Sequence, residues 1–135
     1  MLTPEQKLES SKQERMDEIE LYFNNMIRAG LKVKYGNNRT EDMHVAGGRE
    51  ALFSLKAFLS YYAKIGTTDC IARDPYSKKT HIDTLANMSA MIDEVEAWGM
   101  EAYIKNITKQ DYIKNQCVTV EQVCDVTWDS TEIDD

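Results

Sequence analysis

Apolar side chains near the start of the chain recur at the spacing of a helix. The intervals are three, four and three residues, through Met16, Ile19, Phe23 and Met26. Thr3 and Gln6 match a capping box at the start, and Pro4 fits the first helical position. Gly30 suits the left-handed conformation that ends many helices. The pattern therefore predicts a helix over residues 3–29.

The period then changes from helical to alternating. Over residues 31–35 two lysines separate three apolar side chains, which is typical of a strand with one apolar face. Gly36-Asn37-Asn38 tolerates positive φ, as a tight turn requires. Residues 40–45 can return as a second strand. The pattern predicts a β-hairpin at about residues 31–45.

Two longer helices are predicted after the hairpin. Residues 49–65 and 80–98 repeat apolar side chains at helical spacing. Thr80 and Asp83 match a cap for the second of them. The polar residues 67–79 contain turn formers and are expected to be a connection. The expected buried side of the first helix consists of Leu52, Leu55, Phe58, Leu59 and Tyr62.

The C-terminal part adds one short helix, because Thr119 and Gln122 match a second capping box. Beyond Gly99 the apolar pattern either continues the preceding helix or restarts after a break. The sequence thus predicts a mostly helical α+β fold: a helix, a β-hairpin, two longer helices and a short C-terminal helix. At this length we expect one domain over residues 1–128, with an acidic tail over residues 129–135.

The charge of the chain narrows the classes of partner. The formal net charge is −7, which opposes binding to nucleic acid or to an anionic membrane surface. No apolar run is long enough to span a bilayer, and the N-terminal residues lack the apolar stretch of a signal peptide. We therefore expect no nucleic acid, no membrane, and synthesis in a cytoplasm.

Candidate catalytic and metal-ligating residues are few and scattered. No paired Cys or His spacing typical of a zinc site occurs among His44, His81, Cys70, Cys117 and Cys124. Cys70 and His81 are a candidate catalytic dyad, with Cys70 as nucleophile and His81 as base, although neither residue lies in a recognisable local motif. The cysteines are expected to be buried free thiols, and the chain to need no metal and no cofactor.

A candidate anion site lies where the hairpin meets the next helix. Gly47, Gly48 and Arg49 combine two glycines, a cation and a helix start, and free backbone N–H groups at such a start favour anions. The segment lacks the lysine and the glycine spacing of a P-loop. A plain joint between hairpin and helix is the alternative interpretation.

Several short segments, taken in order, resemble a known domain. They are Arg28-Ala29-Gly30, Val33-Lys34-Tyr35-Gly36, Asp42, Tyr112-Ile113-Lys114 and Val118-Thr119-Val120-Glu121-Gln122-Val123. The chain resembles, over residues 15–128, a small domain of unknown function that recurs in tail and tail-fibre-associated proteins of tailed bacteriophages. The resemblance implies a structural or assembly role in a virion tail, and it carries over no catalytic residues.

The function expected from the sequence is therefore non-enzymatic. The chain would be a virion tail or tail-fibre-associated protein that binds other tail proteins, copies of itself, or both. The residues expected at these contacts, each of which could instead belong to a local core, are Leu8, Met16, Tyr22 and Trp128. The alternative is a small phage-encoded protein that intercepts a host defence factor or a nucleotide signal.

Overall fold

The computed structural model describes residues 1–37 and 39–131. Its elements are α1 (Pro4–Ala29), β1 (Leu31–Tyr35), β2 (Glu41–Val45), α2 (Arg49–Ile65), β3 (Asp69–Arg73), β4 (Thr80–Thr84), α3 (Leu85–Asn115) and α4 (Val120–Asp125). The predicted α+β class is confirmed, and the predicted order is confirmed apart from one hairpin. Within the described part of the chain, no helix is long and apolar enough to cross a membrane.

Both predicted capping boxes are present. At α1 the Gln6 N–H donates to Thr3 Oγ1 at 3.1 Å, and the Thr3 N–H donates to Gln6 Oε1 at 2.9 Å. At α4 Thr119 and Gln122 make the same reciprocal pair. Each box satisfies backbone donors that the first turn of a helix leaves unpaired. Local sequence therefore determines where these two helices begin.

The predicted hairpin is confirmed at its predicted position. β1 and β2 pair antiparallel, with Val33 opposite Met43 and Leu31 opposite Val45. Because side chains alternate along a strand, the apolar residues of both strands share one face. Asn38, in the predicted turn, lies outside the described residues.

The predicted connection over residues 67–79 and the predicted helix start at residue 80 are wrong. β3 and β4 form a second antiparallel hairpin, in a separate two-stranded sheet. Its buried face carries Cys70, Ala72, His81 and Asp83. Two of these four side chains are polar, so the strands lack the apolar alternation by which a strand is recognised.

The second long helix therefore begins later than predicted. α3 starts at Leu85, and Thr84 Oγ1, not the predicted Thr80, accepts the Asn87 N–H at 3.2 Å. α3 then continues through Gly99 to Asn115. Of the two sequence alternatives at Gly99, the continuous helix is the correct one.

The contacts of the chain group into two compact units. The terminal unit comprises Met1–Asn25 and the described residues from Glu101 onward, and the central unit comprises Met26–Met100. The expectation of one domain over residues 1–128 stays a prediction. Of the predicted acidic tail, residues 132–135 lie outside the described residues.

The core of the central unit combines both hairpins with α3. Its buried members are Val33, Tyr35, Met43, Val45, Cys70, Ala72, Met88, Met91, Ile92 and Val95. α2 covers this core with half-buried side chains, among them Leu52, Leu55 and Leu59. The Tyr35 hydroxyl donates to the Cys70 carbonyl at 3.0 Å, so a fully buried tyrosine also links the two hairpins.

The turn between β1 and β2 fits closely against β4. Gly36 has φ +84°, and a Cβ on it would lie 2.8 Å from Glu41 Oε2 and 3.1 Å from His81 Cβ. The Asn37 N–H donates to the Ile82 carbonyl at 2.8 Å. The turn therefore needs glycine both for its conformation and for the space that the His81 side chain leaves.

Gly36→Ala should destabilise the protein more than Gly66→Ala. Both glycines have positive φ, +84° and +77°, but a Cβ on Gly66 would meet nothing within 4 Å. Gly66→Ala should cost only the left-handed backbone penalty of about 1–2 kcal/mol, whereas Gly36→Ala adds a steric clash. Urea unfolding measures both free energies, and equal losses would contradict the close fit at Gly36.

Candidate functional site

The two histidines of the chain each contact a carboxylate from the opposite hairpin. His81 Nδ1 of β4 lies 2.5 Å from Glu41 Oε2 of β2. His44 Nδ1 of β2 lies 3.3 Å from Asp74 Oδ2 in the β3–β4 turn. Each hairpin therefore contributes one histidine and one carboxylate, and the two contacts join the hairpins of the central unit.

The His81 ring is the more enclosed of the two, with the residue 2% exposed. The hydrogen bond from His81 lowers the pKa of Glu41, burial opposes that shift, and Lys79 adds to it. Because an ionised Glu41 accepts, Nδ1 of the His81 ring is the donor in this contact. Among the described residues His81 Nε2 has no hydrogen-bond partner. The ring is held from one side, by Glu41.

Asp74 organises the β3–β4 turn and ties it to β2. Its carboxylate accepts the backbone N–H groups of His44, Tyr76 and Ser77 at 2.8–3.1 Å. Burial alone would raise the pKa of Asp74, but these N–H groups and the His44 side chain outweigh it and hold the pKa well below its usual range. The turn is thus built around a buried, charged carboxylate.

The same turn reaches the end of α1 within the central unit. The Tyr76 hydroxyl donates to the Ala29 carbonyl at 2.7 Å, one of the carbonyls that a helix end leaves unpaired. The Tyr76 ring also meets the His44 ring edge-on, with centroids 5.1 Å apart. These contacts serve the packing of the turn.

The two residues of the candidate catalytic dyad, Cys70 and His81, both lie on the inner face of the second hairpin. Cys70 lies opposite Asp83, and His81 lies opposite Ala72, one pair along the same face. Both residues are buried, and burial raises the pKa of the Cys70 thiol, with Asp69 and Asp83 adding to the shift. A protonated, enclosed thiol is a poor nucleophile.

The three cysteines are expected from the sequence to be buried, but one of them is not. Cys70 and Cys117 are buried, but Cys124 of α4 is exposed, so the expectation is wrong for that residue. The short α4 buries Val123 instead and leaves its neighbour outward. The described residues also hold no group of three potential metal ligands.

At the predicted anion site one backbone N–H is already engaged, and anion binding there stays a prediction. The Gly47 N–H donates to the Ile27 carbonyl at 3.1 Å, so it is not available to an anion. A Cβ on Gly47 would lie 2.6 Å from the Trp98 ring, which explains the glycine by packing. Gly48 is the N-cap of α2, and Arg49 is exposed. The geometry favours the joint between hairpin and helix.

The predicted contact residues all lie in the terminal unit, but they do not form one cluster. Trp128 is 8% exposed, and its ring centroid lies 5.3 Å from that of Tyr22. Leu8 lines a groove with Val118 and Val120. Met16 lines another groove, with Tyr103 and Ile107 among its neighbours. Trp128 therefore belongs to a local core, which is the alternative given for it. The role of the four residues in binding a partner stays a prediction.

A large apolar surface lies instead on α2. All residues of α2 are described, and none of them is buried. Its outward face is rich in large apolar side chains, each more than half exposed: Phe53 73%, Phe58 54%, Tyr61 58% and Ile65 55%. The prediction that Phe58 lies on the buried side is therefore wrong. We call this surface the outer face of α2, and it includes the small residue Ala57.

The spacing of the outer face is visible in the sequence. Phe53, Ala57, Tyr61 and Ile65 follow one another at intervals of four, which is one row along a helix. The opposite side, with Leu52, Leu55 and Leu59, is also apolar. A helix with two apolar sides is expected to use both, one for its own core and one for a partner.

Comparison with known proteins gives no relative for this arrangement. No family model, no curated protein and no solved structure matches the chain.

Asp74→Asn should reduce stability most at neutral pH. The amide keeps the size of the side chain but replaces one charged acceptor, so the loss near pH 7 should be about 1.5–3 kcal/mol. Because the pKa of Asp74 is lowered in the folded protein, its stabilisation is complete above the ordinary carboxyl pKa of about 3.9 and is lost as the pH falls further.

The measurement is urea unfolding of both proteins at pH 7 and at pH 3. The difference in unfolding free energy should shrink at the lower pH. Asp93→Asn, at an exposed position on α3, is the matched control and should change little. A difference that stays constant with pH would contradict the role of the Asp74 charge.

Trp128→Ala should destabilise the terminal unit. The Trp128 ring packs on Tyr22 and Phe23, and Lys105 Nζ lies 4.9 Å from its centroid. Removing a largely buried tryptophan should cost about 3–5 kcal/mol, measured by thermal unfolding. Val120→Ala, at an exposed position, is the control. Unchanged stability would instead make Trp128 a residue reserved for a partner.

Proposed function

We propose that this chain is a non-enzymatic assembly protein that acts through protein–protein contacts, as a tail or tail-fibre-associated component of a bacteriophage virion. The observation that supports this most is the outer face of α2. A 17-residue helix that presents two phenylalanines, a tyrosine and an isoleucine to solvent is typical of an interaction surface.

A partner that buries these side chains would gain free energy for the complex. Fully burying one large apolar side chain is worth about 1.5–3 kcal/mol, and each of the four is still more than half exposed. The fold leaves that gain unrealised, although the opposite side of α2 packs on the core. A partner that covers the outer face would recover it.

The chemistry of the polar clusters supports the non-enzymatic part of the proposal. Both histidine–carboxylate contacts join the hairpins, and Cys70 is enclosed. The placement in a virion tail rests on the sequence resemblance, with other tail proteins, copies of the chain, or both as partners. The alternative, a small phage-encoded protein that intercepts a host defence factor or a nucleotide signal, has one donor fewer at its candidate anion site because the Gly47 N–H is already engaged.

The proposal predicts association in solution. Light scattering of the purified chain, alone and mixed with purified tail proteins, should give masses above the 15.5 kDa of one chain. Tyr61→Ser should weaken that association because it removes apolar area from the outer face. Ile104→Ser is the control, since Ile104 is an equally exposed apolar residue on α3.

One outcome would overturn the proposal. A chain that stays at the mass of one copy at every concentration, and that binds no tail protein, is not an assembly component of a tail.

A further inference from the structure

We infer that the outer face of α2 binds the same face of a second copy, with the two helices antiparallel around a twofold axis at Ala57. This inference rests on the proposed function and names the partner. It is carried by two pairs of residues placed evenly on either side of Ala57: Phe53 and Tyr61 are complementary in size, and Glu50 and Lys64 are complementary in charge.

The apolar residues are placed symmetrically about Ala57. Phe53 lies four positions before it and Tyr61 lies four positions after it, so all three share one row of the helix. In an antiparallel pair with its axis at Ala57, Phe53 of each copy meets Tyr61 of the other. Each such meeting covers two rings that are more than half exposed in the single chain, and aromatic rings pack favourably on one another.

The residues nearest the axis are small. Ala57 is exposed, and the flanking Ser54 and Ser60 are exposed as well. Small side chains at a crossing let two helices approach closely, and the larger rings on either side then interlock. A bulky residue at position 57 would have held the helices apart. The centre of the outer face is thus shaped for a close crossing.

The charges on the outer face specify the antiparallel direction. Glu50 lies seven positions before Ala57 and Lys64 lies seven positions after it, which is about two turns in each direction. In the antiparallel pair Glu50 of each copy meets Lys64 of the other, twice per dimer. In a parallel pair Glu50 would face Glu50 and Lys64 would face Lys64, so like charges would oppose that arrangement.

The local charge also permits two acidic chains to meet here. The whole chain carries −7, but Glu50 and Lys64 cancel, and Lys56 beside the row is paired with Glu96. Arg49 at the N-terminal end of α2 is exposed as well, so the contact brings together two surfaces with a small positive charge on proteins that are acidic as a whole. Glu50 is the one acidic residue of α2, so a strongly basic partner finds little complementary charge here, whereas a second copy supplies both members of the Glu50–Lys64 pair.

The pairing cannot be satisfied within one chain. Glu50 and Lys64 are fourteen positions apart on one helix, or about 21 Å at the usual rise per residue. Any strong dependence of one charge on the other must therefore be intermolecular. This separation makes the charge pair a clean test of the inference.

The first experiment is disulfide capture at the axis. Ala57→Cys in a Cys124→Ser background, which removes the exposed native thiol, should give a covalent dimer on mild oxidation because residue 57 meets its own copy. Ala63→Cys in the same background is the matched control. Ala63 is an exposed alanine of α2, about 120° around the helix from Ala57, and should form far less dimer.

The second experiment is charge exchange, measured as the dimer Kd by sedimentation equilibrium. Glu50→Lys alone and Lys64→Glu alone should each raise Kd roughly tenfold, because each puts like charges together twice per dimer. The double variant E50K/K64E should recover most of that loss. It restores both pairs, although it places each charge at the less favourable end of the helix.

The outcomes separate this inference from the proposed function. If the chain dimerises but Ala57→Cys gives no covalent dimer and the double charge variant recovers no affinity, the dimer uses another surface. That result overturns the inference and leaves the assembly role standing. A chain that is monomeric but binds tail proteins overturns the inference in the same way. A chain that does neither overturns both. Circular dichroism of every variant confirms that α2 remains folded.

Discussion

The contact between Glu41 and His81 is the interaction on which the central unit depends. It joins a strand of each hairpin, and the His81 side chain leaves space beside it only for glycine at position 36. The turn that contains Gly36 then donates to the β4 backbone. Two-stranded hairpins are marginal by themselves in water, so each needs the other to form the inner surface that packs against the helices.

That dependence explains the unequal use of the helices. Once the hairpins are joined, their inner faces and α3 enclose the buried core, and α2 covers it with half-buried side chains from one side only. The outer face of α2 is left without an intramolecular role, and its aromatic residues remain exposed. The surface proposed for assembly is thus a consequence of how the core is closed.

The candidate site is less accessible to sequence reasoning than the fold. The core-facing side of α2 is predicted correctly for Leu52, Leu55 and Leu59, but the sequence does not separate it from the outer row through Phe53 and Tyr61, and Phe58 is misplaced. The role of Trp128 is likewise open in the sequence, because an aromatic residue in an acidic segment is equally compatible with a contact to a partner and with a place in the core. The structure places it against Tyr22.

The sequence by itself determined the features that depend on near neighbours in the chain. The capping boxes at Thr3 and Thr119, the end of α1 before Gly30 and the first hairpin follow from local hydrogen bonds and backbone preferences. Only the tertiary structure decided that residues 69–84 form a second hairpin. Its inner face holds His81 and Asp83, whose distant partners, Glu41 and the Arg39 N–H, become neighbours only in the folded chain.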